Sequence, residues 1–144
     1  MDGTRRRRER RSEGFTLVEV LVVLGILTFL AVIVAPQVIS YLSKAKTDTA
    51  RIEIENISTA LDLYRLDVGK YPSEQEGLQA LLEAPAGAER WNGPYLRKAE
   101  ALGDPWQRPY IYRFPGEHGE FDLYTLGADN AVGGEGEDQD VGNW

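Results

Sequence analysis

The chain has 144 residues, the length of a single folded domain, and 16 Lys and Arg against 23 Asp and Glu leave it a formal net charge of -7. That balance argues against a generic nucleic-acid binder, because neutralising phosphates needs a basic surface. The absence of cysteine excludes a disulfide framework, a thiolate nucleophile and a cysteine-ligated metal centre, and a single histidine, His118, leaves little scope for a catalytic triad or a histidine metal cage.

The charge is unevenly placed. Residues 1–14 hold Arg5, Arg6, Arg7, Arg8, Arg10 and Arg11 against Asp2, Glu9 and Glu13, so this leader is net +3 and the remainder is -10. From Phe15 to Ala35 runs an apolar stretch interrupted only by Thr16, Glu19, Gly25 and Thr28. At about twenty residues it is long enough to cross a bilayer as a helix. An ordinary secretory signal would carry a cleavage site beyond its apolar core. Here Ala35 leads straight into Pro36, and the processing junction that stands out is Gly14-Phe15, ahead of the run. Cutting there would remove the leader and leave the helix on the mature chain; an uncleaved signal anchor is the alternative. Arginines before the span hold that end in the cytoplasm by the positive-inside rule, so everything after Pro36 is expected on the other side.

Glu19 stands inside the span. An acid there costs on the order of 3 kcal/mol on insertion scales and is rarely found without a partner. Cleavage after Gly14 would create a positive α-amino group on Phe15, four residues earlier, which can pair with Glu19 within one chain or between stacked chains. The alternative is a carboxylate close enough to the interface to be hydrated.

Beyond Pro36 the pattern stays helical. Val38, Leu42, Ala45, Ile52, Ile57, Leu61, Tyr64 and Val68 recur near helical spacing, with Lys44, Lys46, Asp48, Arg51, Glu55 and Asp62 on the other faces. Pro36 is expected to bend the helix without ending it, and Gly69 followed by Pro72 to stop it. Ser73-Glu74-Gln75-Glu76 has the form of a capping box ahead of Leu78, Leu81 and Leu82, predicting a short helix that ends near Ala84-Pro85. Residues 85–109 are rich in Gly and Pro and read as loop, pinned by Trp91, Tyr95 and Trp106.

Two β-prone runs, Tyr110 to Phe114 and Phe121 to Thr125, predict an antiparallel hairpin, with Tyr110, Tyr112 and Phe114 sharing one face and Phe121 and Leu123 one face of the partner. His118 falls in its turn without a nucleophile motif, so no catalytic role is expected of it. After Arg113 no Lys or Arg remains, and the Gly-rich tail carries Asp129, Glu135, Glu137, Asp138 and Asp140. Such a segment either stays solvated and mobile or binds a cation, and its carboxylate and carbonyl oxygens are what calcium prefers. It is not an EF-hand. The terminal Trp144 argues against disorder, because an aromatic end wants a pocket.

Gly14-Phe15-Thr16-Leu17-Val18-Glu19, between an Arg-rich leader and an apolar helix, resembles the processing motif of the type IV pilin and pseudopilin superfamily. The resemblance implies that a prepilin peptidase cuts after Gly14 and methylates Phe15, that Glu19 helps order subunits in a helical filament, and that Pro36 is the family's helix-kinking proline. Tyr71-Pro72, Glu76 to Leu81, Asp104-Pro105-Trp106, His118-Gly119, Leu126 to Asp129 and Gly142-Asn143-Trp144 together resemble the major pseudopilins of type II secretion, the G-subunit family, over nearly the whole chain.

That resemblance implies an α+β pilin-like fold: a leader at 1–14, a transmembrane and assembly helix at 15–35, and a periplasmic head at 36–144 with a small antiparallel sheet and a calcium loop. The ligands carried over are Leu126 and Ala131 by their carbonyls, Asp129, Asp140 and, in place of a second adjacent acid where this chain has Gln139, Asp138. A non-enzymatic filament subunit is implied, helping to drive folded proteins from the periplasm across the outer membrane. The implied partners are further copies, minor pseudopilins, the prepilin peptidase, the inner-membrane platform and a cytoplasmic assembly ATPase. A type IV pilin for adhesion, motility or DNA uptake is the alternative, weakened by the missing cysteines. A membrane-anchored periplasmic enzyme or solute-binding protein is the rival of another class, weakened by the missing catalytic constellation.

Overall fold

The structure, a computed structural model, describes residues 14–144, so the arginines of the leader lie outside the described residues. The chain divides into two compact units, one up to Ile39 and one from Ser40 to Trp144. Helix α1 spans Leu17–Val68 and does not end at Pro36.

In the first unit the helix begins with a cap that satisfies an otherwise orphan donor: the Glu19 N–H donates to Thr16 Oγ1 at 3.2 Å. Thr28 returns its hydroxyl to the Leu24 carbonyl at 2.8 Å, so this side chain brings no unpaired donor to the apolar stretch. The large apolar side chains from Phe15 to Val34 are all about half exposed or more. This stretch is long and apolar enough to cross a membrane.

The second unit is built against one face of the remaining part of α1. Its buried positions are Thr47, Ala50, Ile54, Ile57, Ala60, Leu61 and Tyr64, steps of three and four that give one seam. The expected stripe is therefore correct only in its later half. Ile57, Leu61 and Tyr64 are in the core and Val68 packs against it, whereas Val38, Leu42, Ala45 and Ile52 are exposed. The two sets lie roughly a third of a turn apart at 100° per residue, so two separate faces read as one by spacing alone. The small and polar members of the true seam, Thr47 and Ala50, gave no hydrophobic signal, and the spacing admitted the exposed Ile52 in place of the buried Ile54.

Gly69 ends α1 at φ 91°, with its N–H on the Arg65 carbonyl at 2.7 Å. The capping box forms in both directions: the Ser73 N–H donates to Glu76 Oε2 at 2.7 Å and the Glu76 N–H to Ser73 Oγ at 3.2 Å. The next element is a short 3₁₀ helix, Leu78–Leu81, entered through Gly77 at φ 57°. It still buries Leu78, Ala80 and Leu81. Trp91 donates its indole N–H to the Ala80 carbonyl at 2.8 Å, and Tyr95 its hydroxyl to Asp67 at 2.8 Å, which fastens the 85–95 loop to the core. A second 3₁₀ turn, Ala99–Leu102, leads to a turn centred on the buried Asp104, whose carboxylate accepts the N–H groups of Trp106 and Arg108 and the Thr125 hydroxyl.

The hairpin is β1, Ile111–Arg113, antiparallel to β2, Asp122–Thr125, with Tyr112 opposite Leu123. Leu123 is fully buried, and Tyr110 and Phe121 nearly so. A third strand, β3 at Val141–Gly142, pairs antiparallel with β2 and completes the order β1-β2-β3. Two residues, one a glycine, carry no strand periodicity, and Asn143 supplies what the sequence pattern lacks. Its Oδ1 accepts the Leu123 N–H at 2.9 Å, its Nδ2 donates to the Phe121 carbonyl at 3.1 Å, and its own N–H donates to the Leu123 carbonyl at 3.1 Å.

The placement of the seam is checked by two isoleucines five residues apart. Ile57→Ala is expected to destabilise the head by about 2–5 kcal/mol. Ile52→Ala, on the exposed face, should change it by no more than about 0.5 kcal/mol. Denaturant unfolding of the detergent-solubilised chain measures both, and equal losses would show that the seam is misplaced.

Candidate functional site

Two segments carry the residues singled out by sequence. At the N-terminal segment, Gly14 and Phe15 precede α1 and are exposed among the described residues, Phe15 at 81%. Among the described residues nothing lies within 4 Å of where a Cβ on Gly14 would stand. Glu19 falls in the first turn of α1, where a negative charge complements the positive end of the helix dipole. Thr16 was not singled out by sequence, although Thr16-Leu17-Val18-Glu19 has the Thr-x-x-Glu form of a capping box and so offered the signal.

The C-terminal loop runs from Leu126 to the start of β3. Asp129 Oδ1 accepts the Ala131 N–H at 3.0 Å, and Asp140 Oδ2 accepts the Gly133 N–H at 2.9 Å, so two acids eleven residues apart hold one turn, 131–133. The other Asp140 oxygen, Oδ1, is shut from solvent and has no partner among the described residues. Around Asp138 the backbone closes tightly: a Cβ on Gly127 would stand 2.7 Å, and on Gly134 2.5 Å, from the Asp138 carbonyl oxygen, and both glycines have positive φ. The Asp138 side chain itself is exposed. The loop thus places Asp129 and Asp140 on the 131–133 turn, and Asp138 meets Gly127 and Gly134 by its main chain, while the Leu126 carbonyl takes no part in these contacts.

These residues fit a hard divalent cation. An orphaned carboxylate oxygen and an all-oxygen donor set are what calcium uses. Among the described residues no group of three or more His, Asp or Glu is gathered as a metal cluster. Carbonyl oxygens would therefore have to complete any coordination shell.

Two further residues, Glu137 and Arg108, fasten the loop, and sequence patterning offered no signal for that role. Glu137 accepts from the Ser43 hydroxyl at 2.6 Å, Lys46 Nζ at 3.1 Å and the Trp106 indole N–H at 2.9 Å. The Ser43 hydroxyl, then Trp106 and Lys46, hold its carboxyl down at about 2. The Arg108 guanidinium donates to the Gly127 and Ala128 carbonyls, placing a fixed positive charge beside a loop of acids.

His118, in the β1–β2 turn, has its Nδ1 3.0 Å from Asp122 Oδ2, and its ring lies flat on Trp144 at 4.1 Å between centroids. The same carboxylate accepts the N–H groups of Glu117 and His118, and Gly142 lets the Trp144 ring fold back, since a Cβ there would stand 2.6 Å from it. The terminal Trp144 thus finds its place, and His118 serves the turn and the chain end. Burial pushes the Asp122 carboxyl up, but the Glu117 N–H and the His118 side chain and N–H outweigh it and leave its pKa lowered.

Comparison with known proteins places these features in a family. The family model described as type II secretion system (T2SS), protein G, matches residues 37–144, and that of the prokaryotic N-terminal methylation motif matches residues 10–35. The chain is similar to the type II secretion system core protein G of Pseudomonas aeruginosa, 48% identical over 139 residues, covering 94% of this chain and 96% of that protein. It is 42% identical over 138 residues to the core protein G of Vibrio cholerae, covering 94% and 93%. In structure it is similar to the major pseudopilin from the type 2 secretion system of enterohaemorrhagic Escherichia coli, with a TM-score of 0.61 at 29% identity, covering 72% of this chain and 87% of that one.

A depressed carboxylate stabilises the fold above its unfolded pKa and loses that contribution as pH falls through the folded one. Asp122→Asn should therefore be less stable than wild type at neutral pH. The gap should close as pH is lowered from about 5 toward 2, because wild type then loses the carboxylate too. A gap independent of pH in denaturant titrations would mean that the Asp122 charge contributes nothing.

Proposed function

The chain belongs to the protein G family of the type II secretion system, the major pseudopilins, and we propose from that premise that it acts as a filament subunit with one end in the inner membrane. The observation that carries this reading is the family match over residues 37–144. The membrane segment is shared in outline by type IV pilins, whereas the head is where the two groups differ, so the match decides against the pilin alternative. The family is one of structural subunits, and the chain is a structural component of the secretion pseudopilus.

In the proposed mechanism the Arg-rich leader keeps the N-terminus cytoplasmic until a prepilin peptidase cuts after Gly14 and methylates Phe15. The exposed apolar flank of α1 then has two solvents open to it, lipid or the helices of other copies. Moving between them costs little in dispersion or hydrophobic energy, so a reservoir in the membrane can feed a polymer. Glu19 gives that exchange a register: an unpaired carboxylate in the apolar core is costly, and the α-amino group of Phe15 in a neighbouring copy offsets the cost. Minor pseudopilins, the inner-membrane platform and a cytoplasmic ATPase are the proposed assembly partners, and the growing filament moves folded proteins from the periplasm through the outer membrane.

The head needs a second stabilising element, because the chain has no cysteine and much of its apolar content lies in the first unit. Calcium is the proposed ligand of the 126–140 loop, held by Asp129, Asp140 and the carbonyls of Leu126 and Ala131, with Asp138 completing the set. When bound it supplies the positive charge that these acids otherwise lack. Asp129 and Asp140 already close the 131–133 turn, so they present oxygens on both sides of it.

Two experiments test the proposal. The mature protein from membranes should begin at Phe15, and Gly14→Val should keep the leader; Glu19→Val should enter the membrane yet give few filaments. Intact leader in cells with a competent peptidase, or wild-type filament yield from Glu19→Val, would sink the processing or the register claim respectively. Second, the detergent-solubilised chain should melt lower in chelator and recover with calcium but poorly with magnesium, whose octahedral demand suits a carbonyl-rich loop less well. A hundredfold excess of free ion over Kd corresponds to about 2.7 kcal/mol. Asp129→Ala and Asp140→Ala should each remove most of the calcium-dependent shift, and Glu117→Ala none of it. A melting curve unmoved by stripping metal would mean a solvated acidic loop.

A further inference from the structure

Among the acids of the 126–142 loop in the described residues, Glu137 is alone in bonding to groups outside that loop. One of its oxygens accepts the Ser43 hydroxyl at 2.6 Å, and the other accepts Lys46 Nζ at 3.1 Å and the Trp106 indole N–H at 2.9 Å. Ser43 and Lys46 belong to α1, and Trp106 to the turn built on Asp104. The main chain on either side of the carboxylate is tied down as well. The Thr47 hydroxyl donates to the Gly136 carbonyl at 3.4 Å, and the Ala128 N–H donates to the Glu137 carbonyl at 2.8 Å. One residue therefore joins the helix, the Asp104 turn and both limbs of the loop, directly before Asp138 and three residues before Asp140.

We propose that Glu137 is a positioning residue for calcium: it does not bind the ion, but bolts the loop to α1 and the Asp104 turn so that the oxygens on either side of it are pre-placed. The inference rests on the calcium reading above. Three donors already occupy the carboxylate, one of them an ammonium group, and a divalent cation on those oxygens would stand against the Lys46 charge. The neighbouring acids have no such cation on them: among the described residues Asp129, Asp138 and Asp140 form no ion pair. Lys46 thus separates the acids of one short segment into an anchor and a set open to the metal. A loop held in place before the ion arrives loses less conformational freedom on binding it, so the anchor raises affinity without contributing a ligand. The same link carries information outward, because ordering the loop also holds the Ser43–Thr47 turn of α1.

The test is calcium titration by calorimetry of the full chain in detergent, at a temperature where circular dichroism shows each variant folded, with hydrogen exchange of residues 43–47 as a second readout. Glu137→Ala is expected to weaken calcium binding by about tenfold or more. Ser43→Ala and Lys46→Met, which leave every proposed ligand intact, should each weaken it by about threefold, and much less in the Glu137→Ala background, as expected of groups acting through one carboxylate. Glu137→Gln, which keeps an acceptor oxygen but not the ion pair, should fall between. Calcium should slow exchange at residues 43–47 in wild type and not in Glu137→Ala. If Glu137→Ala itself fails to fold, the Ser43 and Lys46 variants decide the matter. Wild-type affinity in Glu137→Ala overturns the inference. So does weak binding in Glu137→Ala with undiminished binding in both Ser43→Ala and Lys46→Met, since Glu137 would then be a ligand. Wild-type chain that takes up no calcium overturns the calcium reading itself, and this inference with it.

Discussion

The head depends on a single seam of α1, the line through Thr47, Ala50, Ile54, Ile57, Leu61 and Tyr64. A unit of this size with no disulfide needs one contiguous core, and here the helix supplies about half of it. The 3₁₀ helix brings Leu78 and Leu81 to that seam, and the hairpin brings Tyr110, Phe121 and Leu123. The small residues at the upper end of the seam, Thr47 and Ala50, leave room for the C-terminal loop to come against the helix, which is why Gly136 and Glu137 reach Thr47 and Ser43.

The second constraint is charge. The loop after β2 has no basic residue of its own, so its acids must be handled one by one. Glu137 is neutralised by Lys46 of α1, Arg108 turns its guanidinium to the Gly127 and Ala128 carbonyls, and Asp129 and Asp140 are used on local N–H groups. One Asp140 oxygen is left buried without a donor. A carboxylate oxygen left in that state costs stability unless something positive completes it. The chain end closes the same region from the other side. Asn143 extends β2 by its amide, and Trp144 lies on the His118 ring, so the last residues act as a clasp on the sheet.

Long-range order separates what could be read in advance from what could not. The Ser73–Glu76 capping box, the Gly69 stop and the Tyr110–Thr125 hairpin are local: each is written in residues a few positions apart, and each is present. The helix face was legible at Ile57, Leu61 and Tyr64, but not at Ile54, a large residue whose place the spacing gave to the exposed Ile52. It was misread where small residues mark it and exposed Val38, Leu42 and Ile52 compete. The short element after the capping box was legible as a helix but not as 3₁₀, because four residues are too few for the sequence period to separate the two. β3 was not legible at all, since two residues become a strand only when β2 and the Asn143 side chain are beside them.

By itself, the sequence determined the membrane-length apolar helix, the Gly14-Phe15 junction with Glu19 behind it, the acidic oxygen-rich loop and the kinship to the pseudopilins. The first three rest on composition, spacing and motif and the kinship on resemblance to a known family, and all of these survive without any fold. Only the tertiary structure decided which face of α1 carries the core, that Val141–Gly142 completes the sheet, and which acid of the loop is an anchor. The reason is that burial and pairing are relations between residues far apart in the chain. Glu137 and Asp138 are neighbours of nearly equal chemistry, and the difference between them comes from a serine, a lysine and an indole that lie up to ninety-four positions away.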